Sequence, residues 1–300
     1  MTNKAILLSG CALVVGVACM AVPAVAQDTP KGCPTAESIG WHLGCQAYSF
    51  NKFTFYEAVD KTASLGLKWI EAYPGQRLSL DKPESVKFDQ SMPADLQKEV
   101  LAKLKAANVT LVNYGVVGVS KDEADARKLF DFAKAMGIQT IVSEPAPAAL
   151  PMIDKLCAEY NINISIHNHP KPSMYWDYKK VLDATKGLSN RIGSCSDTGH
   201  WCRSGISPVE AITALCEAKR VKSLHFKDLN EFGNPEAHDV AWGTGKSDAK
   251  GVLTELYKTG FKGVFSIEYE YNWENSVPDI AVCVANFEKM TQEIVAANKK

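Results

Sequence analysis

Short apolar segments alternate with longer amphipathic segments along residues 41–297, and this alternation limits the possible folds more than any other feature. Residues 138–142 (IQTIV), for example, are apolar almost throughout, as is typical of a strand covered on both faces. Eight such strands, each followed by a helical segment, predict a parallel sheet closed into a barrel. We therefore predict one α/β domain, a (β/α)8 TIM barrel.

The pattern also gives approximate element boundaries. The predicted strands are residues 41–50, 67–73, 109–114, 138–143, 162–167, 191–196, 221–226 and 263–269. The predicted helices are residues 53–65, 93–107, 121–136, 150–160, 176–185, 208–219, 247–259 and 277–297. A polar excursion separates the second strand from its helix.

The first residues have the composition of an export signal. Lys4 precedes an apolar run over residues 5–22, and small residues lead up to Ala26. A basic start, an apolar stretch and a small-x-small site are typical of a secretory signal peptide. We predict a signal peptide over residues 1–26, the barrel over residues 27–300, and a periplasmic or secreted protein.

Two alternatives to a cleaved leader remain open. The leader could stay as an uncleaved membrane anchor, or Cys11 could carry a lipid, because Leu8-Ser9-Gly10-Cys11 reads like a bacterial lipoprotein box. No further apolar stretch is long enough to span a bilayer. The net charge of −1 lacks the basic excess of a nucleic-acid binder. We expect no nucleic-acid partner and no membrane partner outside those two alternatives, and a homo-oligomer stays open.

Nine cysteines occur in the chain, of which Cys11 and Cys19 lie in the predicted leader. Export permits disulfides, and Cys33 with Cys45 is the pair that we expect first. Three others are interpreted as small buried side chains: Cys157, Cys216 and Cys283.

Polar residues stand at the carboxyl end of each predicted strand, where TIM barrels place their active sites. Four of them form an oxygen-rich set: Glu144, Asp197, His225 and Glu268. Burying three carboxylates together without a cation would be costly. We therefore predict that these four side chains bind one divalent metal ion, with Mn²⁺ expected and Mg²⁺, Co²⁺ or Zn²⁺ as alternatives.

The order and spacing of these motifs resembles the sugar phosphate isomerase/epimerase superfamily, the xylose-isomerase-like TIM barrels. The motifs are residues 66–71 (GLKWIE), 143–145 (SEP), 168–169 (NH), 197–200 (DTGH), 224–228 (LHFKD), 243–248 (GTGKSD) and 266–270 (SIEYE). The resemblance covers nearly all of residues 27–300. It is specific for the superfamily and says little about the substrate.

The resemblance implies roles for individual residues. In the ketose 3-epimerases of this family, matching glutamates bind the metal and move the proton, which assigns catalysis to Glu144 and Glu268. Asp197 and His225 match the remaining metal ligands. His200 matches a histidine that contacts substrate oxygens.

Further residues at the carboxyl ends of the predicted strands are predicted to bind substrate. His169 matches a histidine of many relatives, although it could instead fix a neighbouring loop. His167 departs from the family, because many relatives carry a glutamate there. Lys227 would either polarise a substrate oxygen or pair with Asp228. The remaining members of this predicted substrate-binding group are Glu71 and Trp201.

The resemblance implies a metal-dependent isomerase or epimerase that removes a proton next to a carbonyl group. Export and the lack of an arginine cluster favour an unphosphorylated sugar or keto-sugar as the small-molecule partner. One alternative is a periplasmic 3-keto-glycoside lyase or dehydratase. Another is a non-catalytic carbohydrate-binding barrel, which the intact ligand set disfavours. The AP-endonuclease branch of the fold needs a basic groove for DNA, and the sequence lacks the basic excess that such a groove would require.

Overall fold

The computed structural model describes residues 32–298, so the predicted signal peptide and Cys11 lie outside the described residues. Eight parallel strands close into a barrel, each paired with the next in sequence and the last paired with the first. They are β1 (Trp41–Gln46), β2 (Trp69–Ala72), β3 (Thr110–Tyr114), β4 (Thr140–Ser143), β5 (Asn163–His167), β6 (Ile192–Asp197), β7 (Val221–Phe226) and β8 (Gly263–Ile267). The predicted TIM barrel is confirmed.

The helices pack around this barrel. They are α1 (Pro34–Ser38), α2 (Phe55–Ser64), α3 (Ala94–Ala106), α4 (Glu123–Ala135), α5 (Leu150–Tyr160), α6 (Tyr178–Ala184), α7 (Thr198–Arg203), α8 (Pro208–Glu217), α9 (Ala249–Lys258) and α10 (Val277–Ala297). Short 3-10 helices cover Ala47–Phe50 and Pro147–Ala149. Within the described part of the chain, no helix combines the length and apolar character needed to cross a membrane.

Five small elements were not predicted, including the two 3-10 helices, and that at Ala47–Phe50 replaces the end of the first predicted strand. The polar excursion after β2 contains a two-stranded antiparallel hairpin, Gln76–Arg77 with Lys87–Phe88. Helices α1 and α7 have five and six residues. Elements this short carry too few residues to show a hydrophobic period.

An aromatic cluster joins the end of the chain to the strands that begin and close the barrel. The ring of Phe265 in β8 lies 5.2 Å from that of Trp41 in β1 and 5.1 Å from that of Phe287 in α10. Phe226 of β7 packs edge-on against the Phe265 ring at 5.8 Å. Burial of these side chains holds β7, β8 and β1 in place, and the first two carry site residues at their carboxyl ends.

The expected pairing of Cys33 with Cys45 is wrong, because both side chains are free thiols. The Cys33 thiol instead donates to the carbonyl oxygen of Val284 in α10, at 3.5 Å. Burial raises the pKa of the Cys45 thiol to about 12, so this thiol stays protonated at neutral pH. Cys157 and Cys283 are buried as predicted, whereas Cys216 is partly exposed.

Arg220 stabilises the amino-terminal end of the barrel beneath β6 and β7. Its guanidinium donates four hydrogen bonds of 2.6 to 3.0 Å to the carbonyl oxygens of Thr185, Leu188, Ser189 and Ile192. The backbone of Arg220 also lies against β6, where a Cβ on Gly193 would overlap the Arg220 carbonyl oxygen. A side chain at position 193 would therefore force the two strands apart.

We predict that Gly193→Ala lowers the free energy of unfolding by about 1–3 kcal/mol, the usual cost of overpacking. Gly118→Ala is the matched control, because no atom lies within 4 Å of the added Cβ. Urea unfolding followed by circular dichroism measures both. Equal unfolding midpoints for the two variants would refute the proposed overlap.

Candidate metal centre

Four side chains from consecutive strands converge at the carboxyl end of the barrel. His167 ends β5, Asp197 ends β6, His225 lies near the end of β7, and Glu268 directly follows β8. Each offers one donor atom, and all four donor atoms lie within 4.8 Å of one another. All four residues are buried. We call this set the buried four-residue group.

The donor atoms of this group fit a metal ion. Within residues 32–298, ten buried side-chain atoms have no hydrogen-bond partner, and four of them converge in this group: His167 Nε2, Asp197 Oδ2, His225 Nδ1 and Glu268 Oε2. Native proteins rarely leave buried polar atoms unpaired, since each costs about 1–3 kcal/mol. Two imidazole nitrogens and two carboxylate oxygens form a donor set typical of divalent metal sites. The residues therefore fit one divalent ion.

Lys227 places a buried positive charge beside the same oxygens. Its Nζ atom lies 2.9 Å from Asp197 Oδ2, 2.8 Å from Glu268 Oε2 and 3.0 Å from Glu270 Oε2. Only the contact with Glu270 has hydrogen-bond geometry, so the Asp197 and Glu268 oxygens have a neighbouring charge but no directed donor. Burial alone would lower the pKa of Lys227, but the three carboxylates raise it well above its usual value.

The expected alternative pairing of Lys227 with Asp228 is wrong. The Asp228 carboxylate accepts backbone N–H groups from Gly243, Gly245 and Ser247 at 2.8 to 2.9 Å. Asp228 therefore shapes the glycine-containing loop after β7, and Lys227 belongs to the metal centre.

Glu71 supports the centre from below. Its Oε1 atom lies 2.8 Å from His225 Nε2, and its Oε2 atom accepts hydrogen bonds from Ser266 and Asn113. This contact occupies Nε2 of His225 and leaves Nδ1 for the buried group. Carboxylates commonly orient metal-binding histidines in this way. Glu71 is 1% exposed and is not among the residues that line the cleft at the barrel mouth.

Glu144 lies beside the buried group and not within it. It forms a second cluster with His167 and His169. Its Oε1 atom contacts Nδ1 of both histidines and accepts the backbone N–H of His169. Burial alone would raise the pKa of Glu144, but these histidines lower it to about 2. The buried four-residue group therefore contains His167, whereas the predicted ligand Glu144 contacts this group through His167.

An open cleft of about 370 Å³ lies at the barrel mouth. His169, His200, Glu268 and Glu270 line one side of it, with Gln46. The lining also includes Tyr48, Tyr73, Pro74, Gly115 and Val116. The predicted substrate residues His169 and His200 therefore reach the cleft. Trp201 is fully buried in the hydrophobic core, which places it behind the cleft.

The charges at the cleft are set by burial and by neighbours. Burial lowers the pKa of His200 well below its usual value, so this imidazole is neutral. Burial alone would raise the pKa of Asp197, but the adjacent ammonium group of Lys227 lowers it well below its usual value. Burial also opposes the ionisation of Glu268, yet Lys227 and His225 lower its pKa well below the usual value. Both carboxylates are therefore ionised at neutral pH.

Comparison with known proteins gives a family match over most of the chain. A family described as xylose isomerase-like TIM barrel matches residues 59–287. The rhizopine catabolism protein MocC of Rhizobium meliloti is 27% identical over 172 residues. That match covers 52% of this chain and 45% of the relative, so this chain spans less than half of that relative's length.

Solved structures share the fold. A Parabacteroides distasonis protein is 28% identical, with a TM-score of 0.66 over 87% of this chain and 100% of that chain. A xylose isomerase-like TIM barrel protein of Mycobacterium smegmatis, solved in complex with magnesium, is 13% identical, with a TM-score of 0.68 over 86% of this chain and 98% of that chain. The second likeness concerns the fold alone.

We predict that His167→Ala loses bound metal and that Glu144→Ala keeps most of it. The reason is that His167, and not Glu144, contributes a donor atom to the buried four-residue group. Metal content per chain, measured by mass spectrometry after dialysis against a weak chelator, tests both variants. The reverse result would restore Glu144 as the ligand.

We also predict that Glu71→Gln weakens metal binding about 10–100-fold, the usual effect of removing the partner of a metal-binding histidine. Competition with a fluorescent chelator gives the dissociation constant. Glu123→Gln, an exposed carboxylate on α4, is the control. An unchanged constant in Glu71→Gln would show that this contact does not orient His225.

Proposed function

This chain belongs to the xylose isomerase-like TIM barrel family, and we propose that it is a divalent-metal-dependent isomerase or epimerase of an unphosphorylated sugar or keto-sugar. The observation that carries the proposal is the convergence of four buried donor atoms that lack hydrogen-bond partners, with ionised carboxylates among them, next to a cleft. When bound, a divalent ion polarises a carbonyl oxygen and so acidifies the neighbouring C–H bond.

The chain's own carboxylates are suited to move the proton. Glu144 is ionised, and its side chain is 20% exposed beside the cleft. Glu268 lines the cleft and is ionised as well. They extend from β4 and β8, which lie on opposite sides of the barrel. We propose that one takes the proton from the carbon next to the carbonyl and that the other returns it.

The distribution of positive charge supports a neutral substrate. No lysine or arginine is among the described residues that line the cleft. Lys227 and Arg203 both contact the lining residue Glu270, and both are already paired, Lys227 with three carboxylates and Arg203 with Glu270. At the described residues that line the cleft, a phosphate group would meet carboxylates and no cation, so an unphosphorylated compound fits better.

Aromatic residues support a carbohydrate. The Tyr48 ring packs edge-on against Tyr73 at 5.1 Å and against Trp273 at 5.6 Å. Tyr48 and Tyr73 line the cleft, and Tyr48 is 39% exposed. Aromatic rings offer large apolar surface next to polar hydroxyl groups, which suits the C–H faces of a sugar ring.

The aromatic side chains of Tyr48 and Tyr73 also favour a second candidate function at this site, a lyase or dehydratase acting on a 3-keto-glycoside. The first proton transfer would be shared with an isomerase. The group leaving from the neighbouring carbon would then lie against Tyr48 and Tyr73. A non-catalytic carbohydrate-binding barrel is the third candidate, and it would bind sugar without exchanging carbon-bound hydrogen.

We predict that Glu144→Gln and Glu268→Gln each slow proton transfer by about 10²–10⁴-fold, the usual contribution of a general acid or base. Substrate should still bind, because glutamine keeps the size of the side chain. Deuterium uptake from solvent into a panel of ketoses and 3-keto-glucosides, followed by NMR, measures the step directly.

The products distinguish the candidates. Rearranged sugar supports the isomerase or epimerase, and a released aglycone or water supports the lyase or dehydratase. Glu123→Gln serves as the control with unchanged uptake. Full turnover in both glutamine variants would contradict the proposed mechanism, and His169, His200 and Lys227 would then be tested as the base.

We further propose that the protein acts in the periplasm after cleavage near Gln27, on the basis of the leader at residues 1–26. Mass spectrometry of the protein from its native host should find a mature amino terminus there. An intact Met1 in a cytoplasmic fraction would contradict export. A lipid on Cys11 would instead identify the anchored form.

A further inference from the structure

His200 reaches the cleft from α7, the short helix that starts at Asp197. Asp197 Oδ1 accepts the backbone N–H of His200 at 2.6 Å and so caps this helix. The imidazole Nε2 atom lies 3.7 Å from Asp197 Oδ2, next to the buried four-residue group. The other ring nitrogen, Nδ1, lies 3.0 Å from Nη1 of Arg203, one turn further along α7.

The partner of Nδ1 determines where the ring proton is. A guanidinium group has donors only and is never deprotonated in proteins, so His200 Nδ1 must be the acceptor. Neutral imidazole has one N–H group, which must therefore be on Nε2.

Besides its contact with His200, Arg203 forms hydrogen bonds with two other residues. Its Nε atom donates to the carbonyl oxygen of Ala237 at 3.0 Å, in the loop after β7. Its Nη1 atom also donates to Glu270 Oε2 at 2.9 Å, after β8. The two hydrogens of Nη1 thus serve Glu270 and His200 separately. With only 11% of its side chain exposed, Arg203 has a fixed position relative to the His200 ring.

We infer that Arg203 is a positioning residue that fixes His200 as the Nε2–H tautomer, so that His200 donates a hydrogen bond to a substrate oxygen at the metal centre. The identity of that oxygen rests on the proposed function, because negative charge develops there when a proton leaves the adjacent carbon. Fixed donors at such an oxygen stabilise the transition state. A neutral imidazole can serve as the donor.

The tautomer is tested without substrate or turnover. The protein has six histidines, and His200→Gln identifies the His200 signals in ¹⁵N NMR spectra of Mg²⁺-loaded or Zn²⁺-loaded protein. The expected wild-type spectrum has a protonated Nε2 and an unprotonated Nδ1. A protonated Nδ1 would overturn the inference, even if Arg203 variants fail to fold. A blank activity panel with the expected spectrum would reject the proposed function and keep the assigned tautomer.

The effect on catalysis is tested with Arg203→Met, which keeps length and removes every donor. We expect protonation of His200 Nδ1 to appear in its spectrum. We expect kcat and kcat/KM to fall together, by as much as about 10²–10³-fold, the usual cost of losing one oxyanion donor. Arg203→Lys should recover part of kcat, because an ammonium group can again donate to His200 Nδ1.

A double-mutant cycle separates positioning from general damage. In a His200→Ala background, Arg203→Met should cost little further kcat, since Arg203 acts through the imidazole. An equal cost in both backgrounds would overturn the inference. Arg127→Met is the matched control, because Arg127 pairs with Glu123 and Glu159 on the outer helices. Its kcat and metal content should equal those of the wild type.

Discussion

The convergence of Asp197, Glu268 and Glu270 on the buried ammonium group of Lys227 is the interaction on which the rest of the site depends. Removing charges from water costs several kcal/mol per ion, and only close opposite charge offsets that cost. Gly199 makes the arrangement possible, because a Cβ there would lie 2.7 Å from Cδ of Lys227. The charge of Lys227 stabilises the carboxylates of Asp197 and Glu268. The oxygens that face Lys227, Asp197 Oδ2 and Glu268 Oε2, still accept no hydrogen bond.

A layer of small buried side chains lies in the barrel interior beneath the buried four-residue group. Each donor of the buried group follows a small buried side chain by two residues, so both point inward from the same strand. The four pairs are Ser165 with His167, Cys195 with Asp197, Ser223 with His225, and Ser266 with Glu268. Ser165 and Ser223 contact each other across the barrel at 2.9 Å. The small layer leaves space beneath the larger donors, and Glu71 occupies part of that space under His225.

The eight strands were predictable because each is a short apolar run closed by a polar end. The same rule identified Asp197, His225 and Glu268 as neighbours. It could not choose between Glu144 and His167, because both end strands and only the two-residue spacing from Ser165 marks His167 as inward-facing. The partner of Glu71 was also hidden, since a strand-end carboxylate looks alike in sequence whether it meets substrate or a histidine 154 residues away. The partners of Lys227 were hidden for the same reason, because its three carboxylate partners are distant in sequence and the adjacent Asp228 binds a loop.

Anomalous diffraction from crystals of the metal-loaded protein shows whether one metal ion binds in the buried four-residue group. Data collected on both sides of the metal's absorption edge locate the ion without reference to activity. We expect a single strong peak at coordination distance, about 2.0–2.2 Å, from His167 Nε2, Asp197 Oδ2, His225 Nδ1 and Glu268 Oε2. A peak coordinated by Glu144 in place of His167, or no peak at the barrel mouth in fully loaded protein, would contradict it.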